Sequence, residues 1–385
     1  MIEEGSGIIL AINAGSSSVK FQVFDPSLDL ELLAKGSIDN LGGAPCFAAT
    51  EEKTQVTDRK PLPATCTHEA AFRLILGWIE RQNEDWQITA IAHRIVHGGT
   101  AFRDSVRVAP EVIERLRALS PFAPLHEPHN LAAIEIIGEL RPGIIQIACF
   151  DTAFHANHKP LFTEYALPQK MRDKGIRRYG FHGLSYEWIA TVLRRDEPEL
   201  ARGRIIVAHL GNGASLCAMR DGVSIDTTMG MTALEGLPRG RRCGNLDPGA
   251  VIFMIRDLGL TPNETEHCLY NESGLLGLSG RTNDVKLLQD SDDPKAIFAL
   301  DYFALKVAQS MGMMAVALGG VDGIVFTGGI GENSSFMREK ILSRLAFLKP
   351  FEVRVIPANE ERMMAIHARS LLHTFSAADR RVKCQ

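Results

Sequence analysis

Residues 8–22 read IILAINAGSSSVKFQ and residues 205–219 read IIVAHLGNGASLCAM. Each is an apolar, β-branched run, then a cluster of Gly, Ser and Asn, then a second alternating run. That is the pattern of strand, tight turn and strand. Aligned without gaps, the segments share Ile8 with Ile205, Ile9 with Ile206, Ala11 with Ala208 and Ser18 with Ser215. Four identities carry little weight alone. The common order, with one copy near the start of each half, predicts an internal duplication.

Helical patterns fall between the strand patterns. His68 to Arg81 places Ala71, Leu74, Ile75, Trp78 and Ile79 on one stripe, with Thr67 as N-cap. Glu111 to Leu119 and Pro128 to Leu140 read the same way. Ile297 to Leu318 is apolar around much of its circumference, as expected of a helix buried against a sheet. It leads into a short buried strand, Gly323 to Thr327, then a glycine-rich loop at 328–331 and a helix starting near Ser335. Strands alternating with helices predict α/β layers. The polar, proline-containing stretch 155–180 reads as a bridge between the halves.

Composition narrows the function classes. The chain has 385 residues, enough for two domains, with 45% hydrophobic and 23% charged residues, so it is globular rather than disordered. The net charge of -4 argues against duplex nucleic acid as a partner. The apolar run Val307 to Val321 is too short to span a bilayer, which predicts no membrane partner. The acidic opening, Met-Ile-Glu-Glu, is unlike a secretory signal. Seven scattered cysteines (Cys46, Cys66, Cys149, Cys217, Cys243, Cys268 and Cys384) include no C-x-x-C pair, so a reduced, cytoplasmic setting is expected.

Three small-residue loops at strand ends could cradle an anion: Asn13 to Lys20, His209 to Gly213, and Gly328 to Asn333. Any one of them also reads as an ordinary turn, and none is a Walker A loop. One nucleotide held by duplicated halves would use all three. Charged loops form a second theme: His93-Arg94 through His97, Asp151 through His155, Arg178 through His182, and Arg241-Arg242. The pairs His126/His129 and His155/His158 have H-x-x-H spacing, but Pro128 disfavours a helical zinc motif and no cysteine sits at ligand spacing.

Taken together, these segments resemble the acetate kinase family from Ile9 to about Ala365. The resemblance is carried by LAINAGSSSVK, IVAHLGNGASL, HRIVHGG, FDTAFH, RRYGFHGLSYEWIA, MGMTALEGLPRGRR, LDPG, SGLLGLSG, FTGGIGENS and PANEE. It implies an ATP-dependent acyl kinase on a duplicated actin-like ATPase fold, α/β and ribonuclease H-like, with a cleft between two lobes. The N-terminal lobe would be 1–151, completed by about 362–385. The nucleotide-binding lobe would be 152–361.

The resemblance also implies roles for particular residues. Asn13 and Glu360 would organise Mg²⁺ (or Mn²⁺), and Lys20 would contact the nucleotide. Arg94 would hold the acyl carboxylate, with Asp151 essential, His182 and Arg242 stabilising the transition state, and His126 a further active-site histidine. Val96, Leu125, Phe181 and Ala233 would wall the acyl pocket. ATP or ADP would lie against His209, Leu210, Gly211, Asn212 and Gly213; against Asp284, Val285 and Lys286; and against Gly329, Ile330, Gly331, Glu332 and Asn333. A homodimer is implied as well.

Three departures from the family pattern stand out. Lys286 replaces an arginine, Asn245 an aspartate, and Ala233 a pocket proline. The last leaves propionate or butyrate open beside acetate. Within enzymes, a sugar or other hydroxyl kinase is the rival reading. Outside them, the rival is a non-catalytic actin-like nucleotide-binding protein, which would have no need of Arg94, His182 and Arg242.

Overall fold

Both strand–turn–strand segments form, and each founds a mixed sheet. The computed structural model describes residues 7–27, 29–83, 86–124 and 126–382, with side chains described to residue 374. The chain divides into two compact units, Met1–Ala153 with Asn359–Gln385, and Phe154–Ala358.

The strands of the first unit are β1 (Ile8–Ala14), β2 (Ser18–Phe24), β3 (Leu32–Asp39), β4 (Cys46–Glu51), β5 (Thr57–Pro61), β6 (Ile88–Ile95), β7 (Val106–Arg107) and β8 (Ile145–Phe150). Their order in the sheet is β5-β4-β3-β2-β1-β6-β8-β7. β1 to β5 pair antiparallel, whereas β6 runs parallel to β1 and β8 parallel to β6. One face of the sheet is covered by helices His68–Gln82 and Glu127–Leu140, through Phe72, Ile75, Ile79, Ala133 and Ile137. Thr67 caps the first of these helices by accepting from the Ala70 amide at 3.2 Å. Helix Glu360–Val382 packs on β1, β2 and β6.

The strands of the second unit are β9 (Arg204–Leu210), β10 (Ala214–Arg220), β11 (Val223–Thr227), β12 (Gly323–Thr327) and β13 (Glu352–Val355), in the order β11-β10-β9-β12-β13. Again three strands form an antiparallel meander, and two more continue parallel to the first. β9, β10, β11, β12 and β13 thus repeat the scheme of β1, β2, β3, β6 and β8. The predicted duplication is present at the level of topology.

Helix Pro294–Leu318 covers one face of the second sheet with Phe303, Val307, Met311 and Met314. Each such side chain contributes about 1.5–3 kcal/mol by leaving water. Asp293 caps its start, accepting from the Lys295 amide at 2.9 Å, and Gly319 at φ +72° ends it. Helix Gly183–Asp196 packs through Tyr186, Ile189 and Leu193 in a separate cluster with Val207, Cys217 and Val325.

Two expectations need correction. The stretch 155–180 is not a bridge: it belongs to the second unit, tied in by the Arg178 amide to the Thr163 carbonyl at 2.7 Å and the Tyr179 amide to the Gly230 carbonyl at 3.0 Å. Gly328–Asn333 is a short helix rather than a loop. Glu332 Oε1 accepts from the Gly328 amide at 2.8 Å, satisfying an N-terminal donor that the glycines cannot cap. Among the described residues, no helix is long and apolar enough to cross a membrane.

Candidate active site

In the first unit, the parallel strands β1, β6 and β8 deliver Asn13, Arg94 and Asp151 to their C-terminal ends, where open α/β sheets bind ligands. Arg94 is opposite Cys149 in the register, so Asp151, one residue past β8, comes within reach of the guanidinium. Arg94 Nε donates to Asp151 Oδ1 at 3.0 Å and Nη2 to Oδ2 at 2.7 Å. Burial alone would lower the arginine's pKa. The charge and hydrogen bonds of Asp151, joined by the charges of Glu360 and Glu361, hold it above the ordinary arginine value.

Asn130, which sequence reasoning passed over, fastens this end of the sheet. Its Oδ1 accepts from the Val96 amide at 3.0 Å, and its Nδ2 donates to the Ala14 carbonyl at 2.9 Å. It thereby ties the end of β1 to the residue following β6. Val96 is buried, and His126 sits immediately before helix Glu127–Leu140. Leu125 lies outside the described residues.

The acidic residues here have two members that sequence reasoning did not single out, Glu361 and Glu127. Asn13 Nδ2 donates to Glu361 Oε1 at 3.4 Å rather than to Glu360. Glu361 is 7% exposed, and burial together with the charge of Glu360 pushes its carboxyl up, while Arg94 and Lys20 pull it down. Glu127 is fully buried, and neither of its oxygens has a hydrogen-bond partner of acceptable geometry. Burial pushes it up to about 8; the His97 backbone offsets this only in part, and the charge of Asp151 adds to it. No local pattern marks Glu127, which lies in an ordinary first turn of a helix, and within PANEE nothing but its burial sets Glu361 apart from Glu360.

In the second unit, a cavity of about 680 Å³ opens at the C-terminal ends of β9 and β12. Gly211, Asn212, Asp284, Val285, Lys286, Gly329, Ile330 and Asn333 line it, together with Gly240, Asn283 and Gln289. The volume falls in the range of small-molecule and cofactor sites. A Cβ at Gly240 would meet Asn212 Oδ1 at 2.8 Å and Asn283 Nδ2 at 2.9 Å, so a side chain there would push both asparagines aside. Asp284 also shapes the backbone, its Oδ1 accepting from the Lys286 amide at 2.8 Å to cap the short helix that follows.

Other residues expected at the nucleotide do not line this cavity. Leu210 is fully buried in the core, Gly331 packs on the backbone of Ala208 and Phe326, and Glu332 is spent on the Gly328 and Ala358 amides. Gly213 faces His182 instead, a Cβ there meeting Nε2 at 2.9 Å. His209 stands with its ring centroid 4.4 Å from that of His182, and its Nδ1 is 2.9 Å from Ser185 Oγ. Lys20 belongs to the first unit, on β2.

His182 has φ 58°, ψ 22°, the left-handed region, although it is not glycine. Such a residue costs on the order of 1–3 kcal/mol, and strain of this kind clusters at functional sites. Its Nδ1 lies 2.8 Å from Ser215 Oγ, which also bonds the Tyr186 hydroxyl. Phe181 beside it is 1% exposed.

Arg242 is half-buried, 5.6 Å over the Tyr270 ring, with Nη1 donating to the Ala233 carbonyl at 3.4 Å. Burial lowers its pKa, partly offset by Tyr270. Behind it, Arg239 is fully buried and donates to the carbonyls of Ala214, Leu234 and Glu235. Burial and the charge of Arg242 push Arg239 down to about 9. It is a strut that shapes the 234–242 loop.

Residues 8–366 match the model of the acetokinase family. An acetate kinase of Rhodopseudomonas palustris (strain TIE-1) is 46% identical over 348 residues, 89% of this chain and 87% of that protein. Among solved structures, Porphyromonas gingivalis acetate kinase matches with a TM-score of 0.84 and 33% identity, covering 95% of this chain and 100% of the other. A propionate kinase from Francisella tularensis matches with a TM-score of 0.88 and 33% identity, over 94% and 98%.

Proposed function

The chain belongs to the acetokinase family, and from that premise we propose that it transfers the γ-phosphoryl of ATP to acetate, giving acetyl phosphate and ADP, reversibly. It is a kinase whose acceptor is a carboxyl group. The observation that carries the reading is the Arg94–Asp151 pair, a partly open guanidinium fixed in one orientation by a buried carboxylate at the ligand-binding end of a sheet. A planar fork of donors matches a carboxylate.

Acetate is already ionised at neutral pH, its pKa lying near the reference carboxyl values of about 4, so no strong general base is needed. What the reaction demands is positioning and neutralisation of charge around a loose transition state. Arg94 orients the carboxylate. His182 and Arg242 supply donors and charge to the transferring group, and the cavity bounded by Gly211, Lys286 and Gly329 takes the nucleotide. Asp151 keeps Arg94 in place rather than accepting a proton.

A divalent cation suits Asn13 and Glu360. The charge of Glu360 raises the buried Glu361 carboxyl, a repulsion that a cation would relieve, and Asn13, whose Nδ2 donates to Glu361, keeps its Oδ1 as an oxygen donor. When bound, Mg²⁺ would neutralise phosphate charge.

A longer acid is the second reading, favoured by Ala233 and by the propionate kinase likeness. Comparing kcat/KM for acetate, propionate and butyrate separates the two; a sugar or glycerol acceptor would overturn both. A second copy of the chain is the expected partner. Helix Pro248–Arg256 buries none of its residues and leaves Ile252, Phe253 and Ile255 exposed, an apolar surface that a homodimer would cover. The same reading sets the protein in the cytoplasm, in keeping with the free thiols of its described cysteines.

A further inference from the structure

His155 and His158 have no role in the chemistry so far, yet their side chains are withdrawn from solvent around one hydroxyl. His155 Nδ1 lies 2.8 Å from Ser224 Oγ, His158 Nε2 lies 2.6 Å from the same oxygen, and Cys217 Sγ lies 3.2 Å from it. The other ring nitrogen of His155, Nε2, lies 3.0 Å from the Phe181 carbonyl. His155, Ser224 and Cys217 are all less than 5% exposed.

The proton on each group follows by elimination. A carbonyl only accepts, so His155 Nε2 carries a hydrogen. Burial pushes His155 down to about 4, so the ring is neutral near pH 7 and its Nδ1 must accept. The Ser224 hydrogen therefore points at Nδ1, and Ser224 Oγ accepts from His158 Nε2. His158 is itself held neutral, pushed down to about 3 by burial, by His155 and by Arg177. The chain runs one way: His158 to Ser224, Ser224 to His155, His155 to the Phe181 carbonyl. Reversing any link would break the last one.

That last link falls at a sensitive place. Gly180 has φ +81° and lies against the ring, a Cβ there meeting His155 Cδ2 at 2.7 Å. Phe181 follows, and then His182 in its left-handed conformation. The Tyr186 amide donates to the His182 carbonyl at 3.1 Å, so the helix starts at once and the 180–182 backbone has little room to relax.

We infer that His155, oriented by Ser224 and His158, is a positioning residue for phosphoryl transfer: by holding the Phe181 carbonyl it sets the His182 ring and the Phe181 side chain together. The inference rests on the acyl-kinase reading for its kinetic consequence, but not for its structural one. A misplacement of about 1 Å in a reacting group lowers rates by roughly 100-fold.

The test uses the full chain. His155→Phe removes the donor to Phe181 and is expected to lower kcat by about 10- to 100-fold while KM for ATP changes less than about twofold. His155→Gln, which returns an amide donor near the Nε2 position, should recover most of that loss. If the Phe variant does not fold, Ser224→Ala takes its place, with a fall in kcat of about 3- to 10-fold and KM for ATP kept. Independently of turnover, the ¹⁵N ring signals of His182 should shift between the unsubstituted chain and either variant. Unchanged His182 signals overturn the inference, as does unchanged kcat in an active enzyme. Failure of the unsubstituted chain to make any acyl phosphate would defeat the acyl-kinase reading, and the ring signals would still decide this one.

Discussion

Arg94 and Asp151 meet edge to edge at the C-terminal ends of β6 and β8, with a 3.0 Å bond from Nε and a 2.7 Å bond from Nη2 to the two carboxylate oxygens. The pair is buried on the aspartate side and partly open on the arginine side, at side-chain exposures of 2% and 18%. One edge of the guanidinium is therefore committed to Asp151, and on the proposed reading the other would meet the acyl carboxylate. Arg94→Lys keeps the charge and loses the fork. It should lower kcat/KM for acetate by roughly 100-fold and leave KM for ATP nearly unchanged. A parallel loss in both would place Arg94 elsewhere in the reaction.

Arg242 lies over Tyr270, and its carbonyl accepts from the Arg239 amide at 3.0 Å. Arg242→Ala should reduce kcat by about 10²- to 10³-fold, with ATP affinity changed only slightly, as expected of a group that acts in the transition state. Equal effects on kcat and on nucleotide binding would contradict that role.

Gly328 and Gly329 are neighbours with opposite demands. A Cβ at Gly328, where φ is +77°, would meet the Leu210 carbonyl oxygen at 2.8 Å; a Cβ at Gly329 meets nothing within 4 Å and faces the cavity. Gly328→Ala should destabilise by about 1–3 kcal/mol in thermal or denaturant unfolding. Gly329→Ala should leave stability alone and raise KM for ATP by a few-fold, roughly what crowding a well-fitted site costs. An unchanged KM for ATP in a folded Gly329→Ala would mean the cavity does not take the nucleotide.

Glu127 gives a pH prediction with a definite sign. Its folded pKa, about 8, lies above the ordinary glutamate value of 4.5, so between those values the folded state holds a proton that the unfolded chain has lost. That contribution to stability is full below pH 4.5 and drains away as pH rises towards 8. Glu127→Gln removes the titration. Relative to the unsubstituted chain, the variant should therefore gain about 1.4 kcal/mol per pH unit between roughly pH 5 and 7.5, measured by denaturant melts. A difference that does not vary with pH would mean Glu127 is not held protonated.

Much of this fold was legible because its signals are local. The alternation in 8–22 and 205–219 marks strands whatever surrounds them, and Thr67 with its apolar stripe marks a helix within one residue of its observed end. The helix at Gly328–Asn333 was not legible: three of its six residues are glycine, and what closes it is the Glu332 carboxylate folding back onto the Gly328 amide. The stretch 155–180 looked like a bridge because its polar residues conceal their partners, such as Arg178 and Tyr165 on Glu235.

The site divides in the same way. Arg94, Asp151, His182 and the glycine loops stand in motifs that can be read along the chain. Asn130, Glu127, Glu361 and Arg239 draw their significance from burial and from partners distant in sequence, which no spacing announces.

Transfer to a carboxylate is tested most directly by incubating the full chain with ATP, Mg²⁺ and acetate in the presence of hydroxylamine, which traps an acyl phosphate as the hydroxamate. Hydroxamate should accumulate in step with ADP, and both should fall by roughly 100-fold at limiting acetate in Arg94→Lys. ADP-coupled transfer to glycerol or a sugar, with no hydroxamate from acetate, propionate or butyrate, would contradict an acyl kinase built around Arg94.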